Sequence, residues 1–60
     1  MPIITICMKE GRTKDQKAQL AKEITEAVVR VAGTKPENVN IVINDYPAEN
    51  LAHAGKLLSD

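Results

Sequence analysis

The sequence predicts an α/β (α+β) fold consisting of a single β-α-β unit whose two strands run parallel. Three features support this: an alternating apolar run near the N-terminus, an amphipathic segment of helical period, and a second alternating run after a glycine and a proline. A strand, a crossover helix and a second strand of one sheet connect with right-handed geometry, which makes the strands parallel. With 60 residues the chain is long enough for one domain, which we expect to span residues 1–60.

The first predicted strand covers residues 2–8. Within it, Ile4, Ile6 and Met8 alternate with Ile3, Thr5 and Cys7. The many β-branched residues favour a strand that is at least partly covered on both faces. We expect Cys7 to be a small buried hydrophobic residue rather than a nucleophile, because no basic partner that would activate its thiol is evident.

A helix is predicted to start after Thr13 and to run to about Ala32. The residues Thr13 to Gln16 have the S/T-x-x-E/Q form of a capping box, in which the two side chains satisfy free amides at a helix start. The apolar residues predicted to face the sheet lie at helical spacing: Leu20, Ile24, Ala27, Val28 and Val31. Gly33 suits the left-handed residue after a helix end, and Pro36 follows as a stop signal.

The second predicted strand covers residues 38–45. Its two faces carry Val39, Ile41 and Ile43 on one side and Asn40, Val42 and Asn44 on the other. The remaining residues, 46–60, contain the turn residues Pro47, Asn50 and Gly55. We expect this tail to form a short ribbon or to lie on a neighbouring subunit.

The charge balance argues against a polymer or membrane partner. Eight Lys and Arg residues balance eight Asp and Glu residues, and the charges are scattered along the chain. We therefore expect neither nucleic acid nor a membrane surface as a partner. No segment approaches the roughly 20 apolar residues that span a bilayer, and no secretory signal pattern is evident, so we expect a cytoplasmic protein.

The predicted core is thin, which favours assembly. The sequence has no Phe, no Trp, one Tyr and one Cys, so neither large aromatic residues nor an intrachain disulfide can stabilise it. No Cys and His set has the spacing of a structural metal site. A two-stranded sheet with one helix also leaves an edge and a face exposed. We expect a homo-oligomer that extends the sheet across a two-fold axis.

Pro2 and Arg12 are the first candidates for chemistry. Once Met1 is removed, which a small second residue favours, the Pro2 nitrogen is a secondary amine that can accept and return a proton. An α-amino group has a reference pKa of about 8, so an apolar setting or a neighbouring cation would leave it largely neutral at pH 7. Arg12 precedes a helix start and could hold a carboxylate. The alternatives are a proline that merely starts a strand and a solvated surface charge.

These residues, with their surroundings, resemble the 4-oxalocrotonate tautomerase family. The resemblance rests on Pro2 opening an alternating strand, on "KEGRTKDQK" at residues 9–17, on the single amphipathic helix and on the chain length, and it covers nearly the whole sequence. It implies that Pro2 is the catalytic acid and base and that Arg12 engages a substrate carboxylate. It also implies a β-α-β unit ending in a short hairpin, assembled as a hexamer.

Two positions depart from the family pattern. Where the best-known isomerases carry a second arginine within V-R-V, this chain has Val39-Asn40-Ile41, and where they carry an aromatic residue it has Leu51. We expect both Asn40 and Leu51 to contact substrate, Asn40 through a neutral amide and Leu51 as a smaller apolar wall. A charge-assisted contact contributes about 1.5 to 3 kcal/mol, so a site with one arginine should bind dicarboxylates more weakly.

The resulting hypothesis is a tautomerase that acts on small 2-keto or 2-hydroxy-diene carboxylates and requires neither a metal nor an organic cofactor. The alternative is a catalytically weak or inactive oligomeric binding or scaffold module of the same fold.

Four further polar or aromatic residues have less specific predicted roles. Asp45 and Glu49 could flank a site, His53 is expected at the surface or in a subunit contact, and Tyr46 is expected to pack at the edge of the tail.

Overall fold

Two parallel strands and one long helix form the body of the chain, in a computed structural model that describes residues 1–60. The elements are β1 (Ile3–Lys9), α1 (Lys14–Ala32), β2 (Asn40–Tyr46), β3 (Ala52–His53) and β4 (Lys56–Leu57). Single 3₁₀ turns at Pro36–Asn38 and Ala48–Asn50 precede β2 and β3. The predicted fold class, including the short C-terminal hairpin, is confirmed. No helix of the chain is both long enough and apolar enough to cross a membrane.

The register between β1 and β2 runs without a slip from Ile3 opposite Asn40 to Lys9 opposite Tyr46. Because side chains alternate along a strand, each face of the sheet takes every second residue. The half-buried apolar residues of the strands are Ile4, Ile6, Met8, Ile41 and Ile43, and those of the helix include Leu20, Ile24, Ala27 and Val28. These two sets form the apolar layer between α1 and the sheet.

The predicted caps of α1 are present. The Gln16 N–H donates to Thr13 Oγ1 at 3.1 Å, and the Thr13 N–H donates to Gln16 Oε1 at 2.9 Å. Gly33 ends the helix with φ of 71° and donates its N–H to the Val29 carbonyl at 3.2 Å. This left-handed conformation is one that glycine adopts at little cost, which explains the sequence signal at this position.

Val31 departs from the predicted apolar stripe, since it is 79% exposed. The 19 residues of α1 extend about 28 Å, whereas the seven residues of each strand extend about 23 Å. The last turn of the helix therefore overhangs the sheet. An apolar residue at the correct helical spacing remains uncovered there because no strand lies beneath it.

The second strand was predicted to start too early. It covers Asn40–Tyr46 rather than 38–45, because Pro36 starts a 3₁₀ turn. In that turn the Asn38 N–H donates to the Lys35 carbonyl at 3.0 Å and the Val39 N–H donates to the Pro36 carbonyl at 3.1 Å. Both amides are thus used locally and cannot pair with β1.

The second face of the sheet is open in the single chain, and the prediction that Cys7 is buried is wrong for that chain in consequence. Cys7 is exposed, and so are Ile3 at 65% and Val42 at 47%. All three lie on the face opposite α1, alternating with the half-buried residues. The expectation that both faces of β1 are covered fails within one chain because α1 is the only element long enough to cover the sheet.

The tail forms a hairpin from its own residues. β3 pairs antiparallel with β4, and the Leu58 N–H donates to the Leu51 carbonyl at 2.9 Å. The two residues between the strands, Ala54 and Gly55, have φ of 52° and 81°. Two successive positive φ angles are the signature of the type I′ turn, which matches the twist of the strands it joins.

The chain is extended rather than spherical. Its Cα radius of gyration is 14.3 Å, with extents of 42 × 24 × 14 Å, whereas a compact domain of this length would have a radius of about 10 Å. Its accessible surface is 4638 Å², about 800 Å² more than expected for a compact monomer of 6.5 kDa. No residue is fully buried, so the apolar layer under α1 is only half-buried.

Candidate active site

Pro2 lies immediately before β1 and is half-buried. Its carbonyl accepts a hydrogen bond of 3.0 Å from the Asn40 N–H, which extends the parallel ladder by one step. With Met1 attached the Pro2 nitrogen is a tertiary amide, which has neither a proton to donate nor useful basicity. Met1 is 83% exposed, so its removal would cost little packing. Removal would leave a secondary amine at the amino end of the sheet.

Asn40 lies beside Pro2 at the same end of the sheet, because Ile3 and Asn40 are partners in the register. Its side chain is exposed, and its Nδ2 donates a long hydrogen bond of 3.4 Å to the Asn38 carbonyl. The structure thus brings Asn40 close to Pro2. The amide is held only weakly, so it is free to turn toward a ligand.

Arg12 lies at the opposite end of β1. The strand ends at Lys9, the Glu10 N–H donates to the Tyr46 carbonyl at 2.8 Å, and Gly11 turns the chain with φ of 125°. Since seven strand residues extend about 23 Å, the backbones of Pro2 and Arg12 are roughly 20 Å apart or more. One chain therefore does not place both residues around one small ligand.

The surroundings of Arg12 leave its guanidinium free. Arg12 is exposed, and none of the side-chain hydrogen bonds or ion pairs in the chain involves it. Its backbone is held on both sides, by the Glu10 contact to β2 and by the Thr13 capping box at the start of α1. A five-donor planar cation on a fixed backbone is suited to binding a carboxylate in two-pronged geometry.

Leu51 lies between the 3₁₀ turn at Ala48–Asn50 and β3, and it is half-buried. Its N–H donates to the Ala48 carbonyl at 3.2 Å, and its carbonyl accepts from Leu58. This segment follows the carboxyl end of β2, which is the Arg12 end of the sheet. Leu51 is consequently separated along the fold from Pro2 and Asn40.

Asp45 forms an ion pair with Lys17 of α1. Glu49 and His53 are exposed, and Tyr46 is half-buried at the end of β2. No group of three His, Cys, Asp or Glu side chains is placed to hold a metal ion, and a single chain has no enclosed pocket.

Lys17 belongs to the stretch on which the resemblance rests, but its pairing with Asp45 was not predicted from the sequence. A signal for it was present. Asp45 occupies the same face of β2 as Ile41 and Ile43, and that face is covered by α1. An acid among apolar residues facing a helix requires a cation from that helix, because a carboxylate removed from water without a partner is costly.

The known proteins that this chain matches point to one kind of enzyme. The family described as "Tautomerase enzyme" matches residues 2–60, that is, from Pro2 onward. A probable tautomerase of Streptococcus pyogenes serotype M3 is 51% identical over 47 residues, which are 78% of this chain and 77% of that protein.

Several solved structures are also similar to this chain. One, from the 4-oxalocrotonate tautomerase isozymes of Methylibium petroleiphilum, has a TM-score of 0.95 at 41% identity, covering 97% of this chain and 91% of that chain. Another is a heterohexameric 4-oxalocrotonate tautomerase from Chloroflexus aurantiacus. It has a TM-score of 0.96 at 27% identity, covering 100% of this chain and 97% of that chain.

Proposed function

The chain belongs to the tautomerase family and is an isomerase of that type, and on that premise we propose that it uses Pro2 as general acid and base on small 2-keto or 2-hydroxy-diene carboxylates. The observation that carries this proposal is the position of Pro2, half-buried at the start of β1 behind a single exposed residue. The family match begins at the same residue, so the matched region is the one with a proline at its N-terminus.

The proposed reaction moves one proton. The Pro2 amine accepts the proton of an enol hydroxyl, and the electrons of the O–H bond form the carbonyl while the electron pair of the adjacent carbon–carbon double bond moves to the reacting carbon. The protonated amine then delivers the proton to that carbon. Proton and electron pairs balance, and the amine is regenerated. A positioned acid and base of this kind contributes roughly 10²- to 10⁴-fold in rate.

Arg12 is proposed to hold the substrate carboxylate and to stabilise the negative charge that develops beside it. Its unpaired guanidinium and its fixed backbone support this role. A charge-assisted pair of this kind contributes about 1.5 to 3 kcal/mol. Because charge in the reacting system grows in the transition state, part of this contribution appears in kcat and the rest in KM.

The active site is proposed to form between copies of the chain, in a homo-oligomer that we propose to be a hexamer. Within one chain Pro2 and Arg12 lie at opposite ends of β1, so a site that contains both requires Arg12 from a neighbour. The excess surface of about 800 Å² equals the area that each partner typically buries in a stable interface. The open face of the sheet and its two unpaired edges supply the surface for such contacts.

Asn40 and Leu51 are proposed to set the substrate preference toward monocarboxylates. Asn40 neighbours Pro2 and offers only a neutral amide, so a second carboxylate finds no second cation there. Leu51 lies at the Arg12 end of its own chain, so it supplies, from a neighbouring copy, an apolar wall that is smaller than an aromatic ring. This combination favours substrates such as phenylenolpyruvate over 2-hydroxymuconate.

The proposal is tested by comparing processed wild-type protein with Pro2→Ala in the ketonisation of phenylenolpyruvate. We expect Pro2→Ala to lower kcat/KM by about 10²-fold or more, since the secondary amine is lost. Arg12→Ala should raise KM for the same substrate. The exposed helix variant Lys22→Gln serves as a matched control and should leave the rate unchanged. Equal rates for wild type and Pro2→Ala, at the level of buffer, would leave the binding or scaffold module as the better interpretation.

A further inference from the structure

Lys17 and Asp45 form the sole ion pair of the chain, and it joins α1 to β2 across 28 positions of sequence. Their side chains are 31% and 27% exposed, so the pair is half-buried in a chain in which no residue is fully buried. Lys17 lies in α1, which follows the Arg12 turn, and Asp45 lies in β2, which pairs with β1, the strand that precedes the turn. The pair therefore connects the two segments that hold the ends of that turn.

The strand side of the turn is tied to Asp45. Asp45 is followed directly by Tyr46, whose carbonyl accepts the 2.8 Å hydrogen bond from the Glu10 N–H. Glu10 begins the turn, and Gly11 continues it with φ of 125°. Because glycine has no Cβ, its backbone gives this segment little intrinsic rigidity. The position of Glu10 thus follows the position of the end of β2.

The helix side of the turn is tied to Lys17. The Lys17 N–H donates to the Thr13 carbonyl at 3.0 Å, within the first turn of α1, and the Thr13 capping box fixes the residue after Arg12. A displacement of this first turn relative to β2 would move Arg12 directly. The Lys17–Asp45 pair is the polar contact that links these two anchors.

We infer that Lys17 and Asp45 are positioning residues for Arg12 and that their ion pair sets the affinity of the site for a carboxylate. The inference rests on the proposed role of Arg12. The pair acts in two ways. It holds the start of α1 at the end of β2, and it keeps the Asp45 carboxylate engaged, so that this acid neither attracts the Arg12 guanidinium nor repels an incoming anion.

The test measures binding rather than turnover, which separates it from the test of the proposed function. Cinnamate is a suitable probe, because it is a monocarboxylate without an enolisable carbonyl. Its Kd is measured by calorimetric titration against wild type, Lys17→Met, Asp45→Asn and the reversed pair Lys17→Asp/Asp45→Lys. Lys17→Met retains the apolar stem of the side chain. Arg12→Ala is the positive control.

The matched control is Glu23→Gln, which removes one charge from α1 and weakens an exposed contact with Gln19, at a distance from the turn. We expect Lys17→Met and Asp45→Asn each to raise the Kd by about three- to tenfold, the reversed pair to return it to within about twofold of wild type, and Glu23→Gln to leave it unchanged. Amide hydrogen exchange of residues 10–13 should rise in the two single variants only.

Unchanged Kd values in both single variants would overturn the inference, and so would equal hydrogen exchange in Lys17→Met and Glu23→Gln. A wild-type protein that does not bind cinnamate would overturn it as well. If a single variant assembles poorly, the inference is tested with the reversed-pair variant. A reversed-pair variant that folds but still binds cinnamate weakly shows that the ion pair does not position Arg12. A protein that binds cinnamate through Arg12 but shows no dependence of turnover on Pro2 would contradict the proposed function alone.

Discussion

At the scale of single residues, the amino end of the sheet combines a proline with an asparagine. Pro2 and Asn40 are joined by a backbone hydrogen bond of 3.0 Å, so position 40 lies beside the residue that we propose as the acid and base. The Asn40 amide is held only by a 3.4 Å contact to the Asn38 carbonyl. Changing this one side chain should therefore alter substrate selection without disturbing the strand.

We expect Asn40→Arg to improve kcat/KM for a dicarboxylate such as 2-hydroxymuconate by roughly tenfold relative to a monocarboxylate, which corresponds to about 1.4 kcal/mol. The added guanidinium would supply the second cation that the distal carboxylate lacks. The measurement is steady-state kinetics with both substrates, and Asn40→Gln serves as the uncharged control. An equal change for both substrates would mean that position 40 does not face the distal carboxylate.

The second prediction at this scale concerns Met1. We expect activity to track the fraction of chains that lack Met1, because only those carry a free amine at Pro2. Intact-mass spectrometry of several preparations, paired with the phenylenolpyruvate assay, measures both quantities. If a preparation that uniformly retains Met1 is as active as a processed one, then Pro2 is not the base and serves only to start β1.

At the scale of elements, the C-terminal hairpin contains the one non-glycine residue with positive φ, Ala54 at 52°. For alanine the left-handed conformation costs roughly 1 to 2 kcal/mol, because Cβ approaches the backbone. The turn thus lacks its preferred residue at this position, while Gly55 meets the requirement at the next. The hairpin retains its shape because the Leu58 to Leu51 hydrogen bond closes it.

We expect Ala54→Asn to stabilise the protein by about 0.5 to 1 kcal/mol, because Asn-Gly is a favoured pair in type I′ turns. Thermal unfolding at a fixed protein concentration is the measurement, since assembly makes the Tm depend on concentration. Ala52→Asn, in the extended backbone of β3, is the matched control and should give no gain. A Tm for Ala54→Asn at or below that of the control would contradict the turn assignment.

At the scale of the whole molecule, the chain exposes more surface than a stable monomer of its size. The open sheet face carries Ile3, Thr5, Cys7 and Val42, and both edges of the sheet are unpaired. Burying apolar surface contributes about 25 cal/mol per Å², so covering this face stabilises the fold as well as the assembly. Folding and association are expected to be coupled for such a chain.

We expect sedimentation at micromolar concentration to show a species several times the 6.5 kDa of one chain. Val42→Asp should shift it toward smaller species and lower the tautomerase rate together, because a charge on the open face opposes its burial. Ala18→Asp, on the exposed side of α1, is the matched control and should change neither quantity. A wild-type monomer that is stable and folded would contradict the assembly.

The sequence by itself determined the order and type of the main elements. Strand alternation, helical period, the Thr13 capping box and Gly33 act within a few residues of each other, so their effect does not depend on the rest of the fold. Pro2 and Arg12 were selected for their chemistry, and the hairpin was implied by the family resemblance, which rests on motifs of the linear sequence. The fold was predicted correctly because the local preferences of each segment match the structure that the segment adopts in the folded chain.

Only the tertiary structure decided which residues meet. It separated Pro2 from Arg12 along β1, paired Lys17 with Asp45, and left Val31 and Cys7 uncovered. These outcomes depend on the relative lengths of α1 and the strands and on the register of β2, which no local pattern encodes. Periodicity specifies the face on which a side chain lies. Whether another element covers that face, or completes a site there, is decided by packing within the chain and against its neighbours.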